Sequence, residues 1–331
     1  VYLRQTAYAQ PSYWVDSAQV EAWTDSKAGF ISTKIGNQRR AYLAENESGL
    51  DLAERACRNL IDKIGSAPSW DVLIVVTQNP DYKLPHMSAL LQDRFGLPRT
   101  TACFDIALGC SGFVYALKVA EGFLTATGGR NAVIVTCDPY SRVMAPEDKD
   151  TVTIFGDAAA AAWLSLDGGP AAGRLGQAVF GTDGSGAEHL IVRNGGVQNP
   201  LTPTVSGTVP ADPDDRGSRL HMGGRAILEF MITRVPGLLH DCLDKNGLAC
   251  DDVDFFVLHQ ASKYMLRQIV RHMDLSSEQV PVYLDDVANT VSSSIPIALT
   301  YLDSDQDLLG KTVVLCGFGV GLSWGAVTIN F

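Results

Sequence analysis

The sequence predicts an α/β protein built from two copies of one unit, and three observations carry that expectation. Continuous β-branched apolar runs alternate with stretches of helical periodicity, the pattern of strands covered on both faces by helices. The order of these elements repeats once, with matching elements about 180 residues apart, roughly half of the 331-residue chain. Hydrophobic residues make up 46% and charged residues 19% of the chain, an ordinary globular composition with enough length for a sizeable core. Two such units sharing a middle helical layer make a five-layer αβαβα sandwich. The alternative arrangement is two independent α/β domains joined by a linker.

In the first half, Leu52, Ala56, Leu60 and Ile64 give residues 50–64 one apolar helical face. Val72-Leu73-Ile74-Val75-Val76 follows as a strand. Residues 87–95 read as a helix, 104–108 as a strand, 113–125 as a helix, and 132–137 and 158–166 as strands. The second half repeats the order: helix 227–243, strand 255–258, helix 264–273, strand 280–284, an apolar helical segment within 289–302, then strands 312–316 and 326–329. The halves are expected to divide as residues 1–170 and 171–331. Residues 205–219, dense in Pro, Gly and Asp, are the best linker candidate and read as a surface loop.

The net charge of −11 argues against a nucleic-acid surface. No run of about 18 apolar residues marks a membrane span, and the N-terminal residues carry no apolar stretch of signal-peptide length. Seven scattered cysteines, odd in number and without a Cys-x-x-Cys pair, point to free thiols in a reducing cytoplasm. No zinc spacing occurs among Cys and His, so no metal is expected.

Four segments carry candidate chemistry. Cys110 stands between a strand and a helix, where unpaired N–H groups and the positive end of the helix dipole favour a thiolate; the plain alternative is an inert buried cysteine. Among six histidines, only His259 lies directly at the carboxyl end of a strong apolar strand, where α/β sheets gather functional groups; a structural role is its alternative. Asn289 occupies about the place in the second half that Cys110 occupies in the first, and a loop asparagine serving backbone groups is the other reading. The glycines from Gly317 to Gly325 either form a turn between strands or bring backbone N–H groups against a developing oxyanion, beside the N–H of Cys110.

These segments together resemble the thiolase superfamily and, more narrowly, the β-ketoacyl-ACP synthase III family. The resemblance rests on Cys110-Ser111-Gly112-Phe113, Phe155-Gly156-Asp157-Ala158, His259-Gln260-Ala261, Asn289-Thr290 with Ser294-Ile295-Pro296, and Phe318-Gly319 through Trp324-Gly325. It implies a thiolase-like five-layer sandwich that forms a homodimer. It implies that an acyl-thioester acylates Cys110 and that His259 and Asn289 hold the thioester oxygen of a malonyl donor as CO₂ leaves. The resulting carbanion attacks the acyl-enzyme to give a β-ketoacyl thioester, with backbone N–H groups of Cys110, Gly319 and Val320 as the oxyanion hole. Coenzyme A and phosphopantetheine thioesters, including malonyl-ACP, are then substrates rather than cofactors, and an acyl carrier protein is the partner. A Cys-His-Asn set has no carboxylate to abstract a proton, which suits a nucleophile generated by decarboxylation.

The family's tryptophan and two arginines that grip coenzyme A correspond here to Phe30, Lys34 and Lys149, so stacking and charge survive without Arg's bidentate geometry. Ser262 replaces a frequent asparagine, Tyr264 an arginine that meets the carrier, and Val320 interrupts a turn that is usually all glycine. Leu84 stands where a phenylalanine often limits the acyl pocket across the dimer, which favours a longer chain. Lys263, Arg267 and Arg271 fall at helical spacing as a cationic stripe for an acidic carrier, with Arg39, Arg40 and Arg225 adding to it. The rival activities are acyl transfer to an alcohol or amine without condensation, and hydrolysis. The non-enzyme rival is an inactive scaffolding subunit.

Overall fold

The computed structural model describes residues 1–66, 68–169, 171–201 and 216–331, so most of the linker candidate 205–219 lies outside the described residues. The chain opens with β1 (Tyr2–Ala9). A hairpin of β2 (Tyr13–Asp16) and β3 (Arg39–Tyr42) then encloses the short helix α1 (Ser17–Trp23). The first half continues through α2 (Gly49–Ile64), β4 (Val72–Val76), α3 (Met87–Arg94), β5 (Ala102–Ile106), α4 (Gly112–Thr127), β6 (Asn131–Cys137), the one-turn α5 (Lys149–Val152) and β7 (Ala159–Ser165). The second runs through β8 (Gly173–Thr182), the short strands β9 (Leu190–Ile191) and β10 (His221–Met222), and α6 (Gly224–Asn246). It ends with β11 (Phe255–Leu258), α7 (Lys263–His272), α8 (Ser294–Asp305), β12 (Thr312–Gly319) and β13 (Ser323–Asn330).

Nine strands form one continuous sheet in the order β11-β12-β13-β8-β1-β7-β6-β4-β5. Each half keeps parallel strands on its outer side, β4 with β5 and β6, and β11 with β12. Each then closes on an antiparallel strand, β7 or β13. The halves join where β1 meets β8, with Leu3 opposite Gly173. At Gly173 a side chain has no room, because a Cβ would lie 2.9 Å from the Phe331 ring.

Alternate residues of the same strands feed different layers, which makes the protein a five-layer thiolase fold. Val72, Ile74 and Val76 of β4 and Val313 and Leu315 of β12 pack on α4 and α8 between the two halves. Leu73 and Val75 face the outer layer of α2 and α3. Val314 and Cys316 face the other outer layer, α6 and α7. Every residue of β4 is therefore fully buried, each contributing about 1.5–3 kcal/mol, which is why the run shows no polar alternation. The longer helices stop cleanly: α2 starts at Ser48, whose hydroxyl accepts the Asp51 N–H at 3.1 Å, and ends at Gly65 with φ +76°.

Two expectations change, and two strands were not anticipated. Residues 280–284 form no ladder, because Pro281 has no N–H to give and the Gln260 side chain takes the Tyr283 N–H instead, at 2.9 Å. The strand expected at 104–108 is β5, displaced two residues toward the N-terminus, since Leu108 already turns back to the Ile106 carbonyl. The junction strands β1 and β8 carry polar and glycine residues with irregular burial, so no apolar run announced them. Among the described residues, no helix is long and apolar enough to cross a membrane.

Candidate active site

Cys110 ends the turn that leads from β5 into α4, where Gly112 N–H bonds back to the Gly109 carbonyl at 2.7 Å. It is 4% exposed. The end of β12 lies directly against it. A Cβ on Gly317 would sit 2.7 Å from the Cys110 carbonyl oxygen, and one on Gly319 would sit 2.8 Å from both Cβ and Sγ of Cys110. Only glycines allow that approach. Hydroxyls of Ser111 and Ser323, 2.6 Å apart, tie the two backbones together.

The backbone N–H groups of Val320 and Cys110 act on the sulfur to lower its pKa. Burial nevertheless pushes the thiol up to about 12, and the nearby Asp138 charge adds to the rise. This corrects the expectation of a resting thiolate: loss of water outweighs the helix N-terminus and the two donors, so the resting group is a thiol.

His259 follows the last residue of β11, and its N–H bonds to the Cys316 carbonyl at 2.7 Å. Its ring meets Phe318 edge-on at 5.5 Å, next to the glycines that touch Cys110. Nδ1 lies 2.6 Å from the Ser294 hydroxyl, which also accepts the Gln260 N–H at 3.4 Å. The Ser294 hydroxyl holds the ring through Nδ1, and in the tautomer in which it donates there the imidazole proton sits on Nε2. Burial pulls the pKa of His259 down to about 3, with a Val291 backbone hydrogen bond opposing, so the ring is neutral.

Asn289 is held by its backbone. Its N–H bonds to the Ile154 carbonyl at 3.1 Å, its carbonyl accepts Gly156 N–H at 3.0 Å, and it forms a parallel bridge with Phe155. A Cβ on Gly156 would lie 2.6 Å from the Val287 carbonyl, so the Phe155-Gly156-Asp157 motif seats this segment. The Asn289 side-chain oxygen accepts Val291 N–H at 3.0 Å, which leaves Nδ2 as a donor with only a long 3.5 Å contact to the Ala261 carbonyl.

Val291 is the common neighbour. It shares an apolar cluster with Cys110 and Val320, and its backbone meets both His259 and Asn289. Its φ of +53° is costly for a β-branched residue, about 1–3 kcal/mol, and such strain collects at functional sites.

Sequence reasoning missed the scaffold behind these groups. Of three consecutive buried serines, two tie the halves together, Ser292 to Asp138 and Ser293 to Thr136 at 2.8 Å, and the third, Ser294, holds His259 within the second half. Their density in a small polar run was the available signal. Burial raises Asp138 and Asp157 to about 6, against their hydrogen bonds; Asp157 receives the Leu43 N–H at 2.9 Å and the Ser141 hydroxyl. A cavity of about 580 Å³ begins at Val320 and Tyr140 and is walled by Gln78, Val143, Leu190 and Leu220.

The peripheral candidates separate. Lys149 Nζ lies 5.2 Å from the Phe30 ring, and Phe30 packs on the cluster that holds Cys110. Lys34 is exposed on the adjoining turn, and Lys263 packs on Gly36 beside it. Arg267 and Arg225 are exposed, at α7 and at the first turn of α6. Arg40 leaves the cationic group: it is fully buried, bonded to the Val152 carbonyl at 2.6 Å and to Asn37, and burial lowers its pKa. Arg39 is neutralised by Asp286 at 2.9 Å and stacks on Trp14. Leu84 is 87% exposed and lines no cavity described within its own chain.

Two family models match the chain: 3-oxoacyl-[acyl-carrier-protein] synthase III over residues 104–184, and the C-terminal part of the same family over residues 243–331. The β-ketoacyl-[acyl-carrier-protein] synthase III of Streptococcus agalactiae serotype III (strain NEM316) is 31% identical, over 99% of this chain and 98% of its own. The chain belongs to the β-ketoacyl-[acyl-carrier-protein] synthase III family. A solved 3-oxoacyl-(acyl-carrier-protein) synthase III superposes with a TM-score of 0.91 at 34% identity, covering 99% of both chains. The priming β-ketosynthase of the R1128 polyketide pathway superposes with a TM-score of 0.88 at 25% identity, covering 99% of this chain and 95% of its own. As a member of this family the protein is a condensing acyltransferase of fatty acid biosynthesis, and acyl transfer without condensation is not favoured.

Proposed function

We propose that Cys110 is the nucleophile of a two-stage condensation, with residues 1–170 supplying it and residues 171–331 supplying His259 and Asn289. The carrying observation is the pairing of donors. The Val320 and Cys110 N–H groups favour the thiolate form of the sulfur, while neutral His259 and Asn289 both meet the backbone of Val291, a neighbour of Cys110, and the Asn289 oxygen is committed to Val291 N–H so that its Nδ2 remains a donor.

In the first stage the sulfur attacks the carbonyl of an acyl-CoA or acyl-carrier thioester. The backbone N–H groups of Cys110 and Val320, in the Gly319–Val320 turn, receive the oxyanion. The donor thiol leaves with the proton that Cys110 loses. In the second stage the bond between C2 and the carboxylate of malonyl-ACP breaks and CO₂ departs. The enolate oxygen is held by Nε2–H of His259 and Nδ2–H of Asn289. C2 then attacks the acyl carbon, the Cys110 sulfur leaves as a thiolate and takes one proton from solvent, and a β-ketoacyl thioester is released. A neutral imidazole suits this role, because it donates without having to lose a proton first. Removing one such donor typically costs about 10²–10³ in rate.

Thioesters are the substrates, and the reading requires no metal or further cofactor. Phe30 with Lys34 and Lys149 forms a stacking and phosphate-pairing rim for coenzyme A. Lys263 and Arg267, with Arg225 nearby, form the docking face for an acidic carrier. The chain is read as a cytoplasmic homodimer: all seven cysteines are free, β5 is the outermost strand of the sheet, and Leu84 would reach its acyl pocket only in a partner copy.

Intact-mass measurement after incubation with C2–C12 acyl-CoAs tests the nucleophile: one acyl mass is expected on the wild type and none on Cys110→Ala. An equal mass gain on Cys110→Ala would overturn the assignment. Asn289→Ala is expected to retain acylation and lose malonyl decarboxylation. Charge reversal at Lys263 and Arg267 is expected to weaken malonyl-ACP use and spare acylation by CoA esters.

A further inference from the structure

The cavity adjoins Cys110 through Val320 and Tyr140, which share its apolar cluster, and Gln78 makes that end of the wall polar. Gln78 sits over Gly109, the residue before the nucleophile, where its side-chain oxygen leaves no room for a Cβ. That oxygen accepts the Tyr140 hydroxyl at 3.1 Å. Tyr140 is 5% exposed, stacks on Phe155 with ring centroids 5.1 Å apart, and belongs to the apolar cluster of Cys110. A buried hydroxyl must donate somewhere, and Gln78 is its acceptor. Burial holds the Tyr140 pKa well above its ordinary value, so the proton stays on the phenol. The bond therefore commits Oε1 to Tyr140; Gln78 is part of the cavity wall, and among the described residues its Nε2–H₂ makes no hydrogen bond to a protein acceptor.

Resting on the proposed acylation of Cys110, we propose that this cavity selects medium-chain acyl primers carrying an oxygen on the third carbon, 3-hydroxyacyl or 3-oxoacyl thioesters, with Gln78 as the group that reads it. An amide one residue from the sulfur reaches the first carbons of a bound chain and not its end. The thioester oxygen is already taken by the N–H groups of Val320 and Cys110, so the next position at which Gln78 finds an acceptor is carbon 3. At roughly 30 Å³ for each water-sized group, an eight-carbon chain fills about 240 Å³, within the 580 Å³ available. Leu190, Leu220 and Val143 offer it an apolar wall. A plain hydrocarbon covers the Gln78 amide and leaves its donors unpaired, and sites built to hydrogen-bond a substrate group discriminate against the analogue that lacks it.

The test compares octanoyl with 3-hydroxyoctanoyl and 3-oxooctanoyl thioesters, each supplied on coenzyme A and on carrier protein, by time-resolved intact mass of the acylated protein. The wild type is expected to favour the oxygenated chains about tenfold in kcat/KM. Gln78→Leu is expected to reverse the order. Tyr140→Phe, which keeps the ring but frees the amide to rotate, is expected to shrink the preference without reversing it. A wild-type ratio near one, or a ratio unchanged in Gln78→Leu, overturns this inference alone. Failure of every C2–C12 thioester to acylate Cys110 overturns both the inference and the condensing role on which it rests.

Discussion

Gly319→Ala isolates the contact between the end of β12 and Cys110, the proposed nucleophile. The added Cβ would lie 2.8 Å from both Cβ and Sγ of Cys110. Carbon atoms rest at about 3.5–4.0 Å, so roughly 1 Å of relief is needed. The backbone of β12 is pinned by its ladder to β13, where Gly319 pairs with Ser323, and Cys110 is pinned by the Ser111–Ser323 hydroxyl pair. The side chain is the part able to move, and its rotation carries the sulfur away from the Val320 N–H. Overpacking of this kind costs about 1–3 kcal/mol of stability. A displacement of about 1 Å at a reacting atom costs about 10² in rate. The expected phenotype is a folded protein with slightly lowered Tm and a Cys110 acylation rate reduced about a hundredfold, read by intact-mass time courses at saturating acyl-CoA. Acylation at the wild-type rate would show that β12 does not press on the sulfur, and would remove the structural basis for the proposed oxyanion hole.

Ser294→Ala removes the hydrogen-bond partner of His259 Nδ1 and frees the ring; CO₂ release from malonyl-ACP should fall about 10–100-fold while acylation stays within about twofold, and equal losses in both would count against a positioning role. Asp138 has a folded pKa of about 6, raised above the ordinary value of 3.8, so its contribution to stability is complete below pH 3.8 and lost as pH rises through 6. Asp138→Asn should therefore gain up to about 3 kcal/mol relative to the wild type between about pH 4 and about pH 8, measured by denaturant unfolding; parallel pH curves would contradict this. The same substitution removes a charge that raises the Cys110 thiol, so alkylation of Cys110 should begin at lower pH. Gly122 lies within α4 with open space where a Cβ would stand, so Gly122→Ala should stabilise by about 0.5–1 kcal/mol, visible as a small rise in Tm.

Local chemistry explains which features were legible. The runs 72–76 and 132–137 were readable as strands because both of their faces are buried, so neither needs a polar residue. β1 and β8 were not, because as the strands joining the halves they have irregular burial and carry Arg4, Gln5 and several glycines. Cys110 stood out through the strand-turn-helix pattern and its glycines, and Asn289 through its place in the repeat. Gln78 and Tyr140 offered no local signal, since they are 62 positions apart and meet only through the ends of β4 and β6. Arg40 looked like its neighbour Arg39, yet one is interior and the other a paired surface residue, a distinction that depends on the hairpin's packing and not on residue type.

By itself the order of residues determined the repeated α/β plan and the types of side chain that could do thioester chemistry, because strand burial and turn geometry are written in short stretches. The protonation of those side chains was decided by tertiary structure alone. Whether a sulfur is thiol or thiolate, and an imidazole neutral or charged, depends on how much water the surrounding layers exclude, and that exclusion is a property of segments distant in the chain.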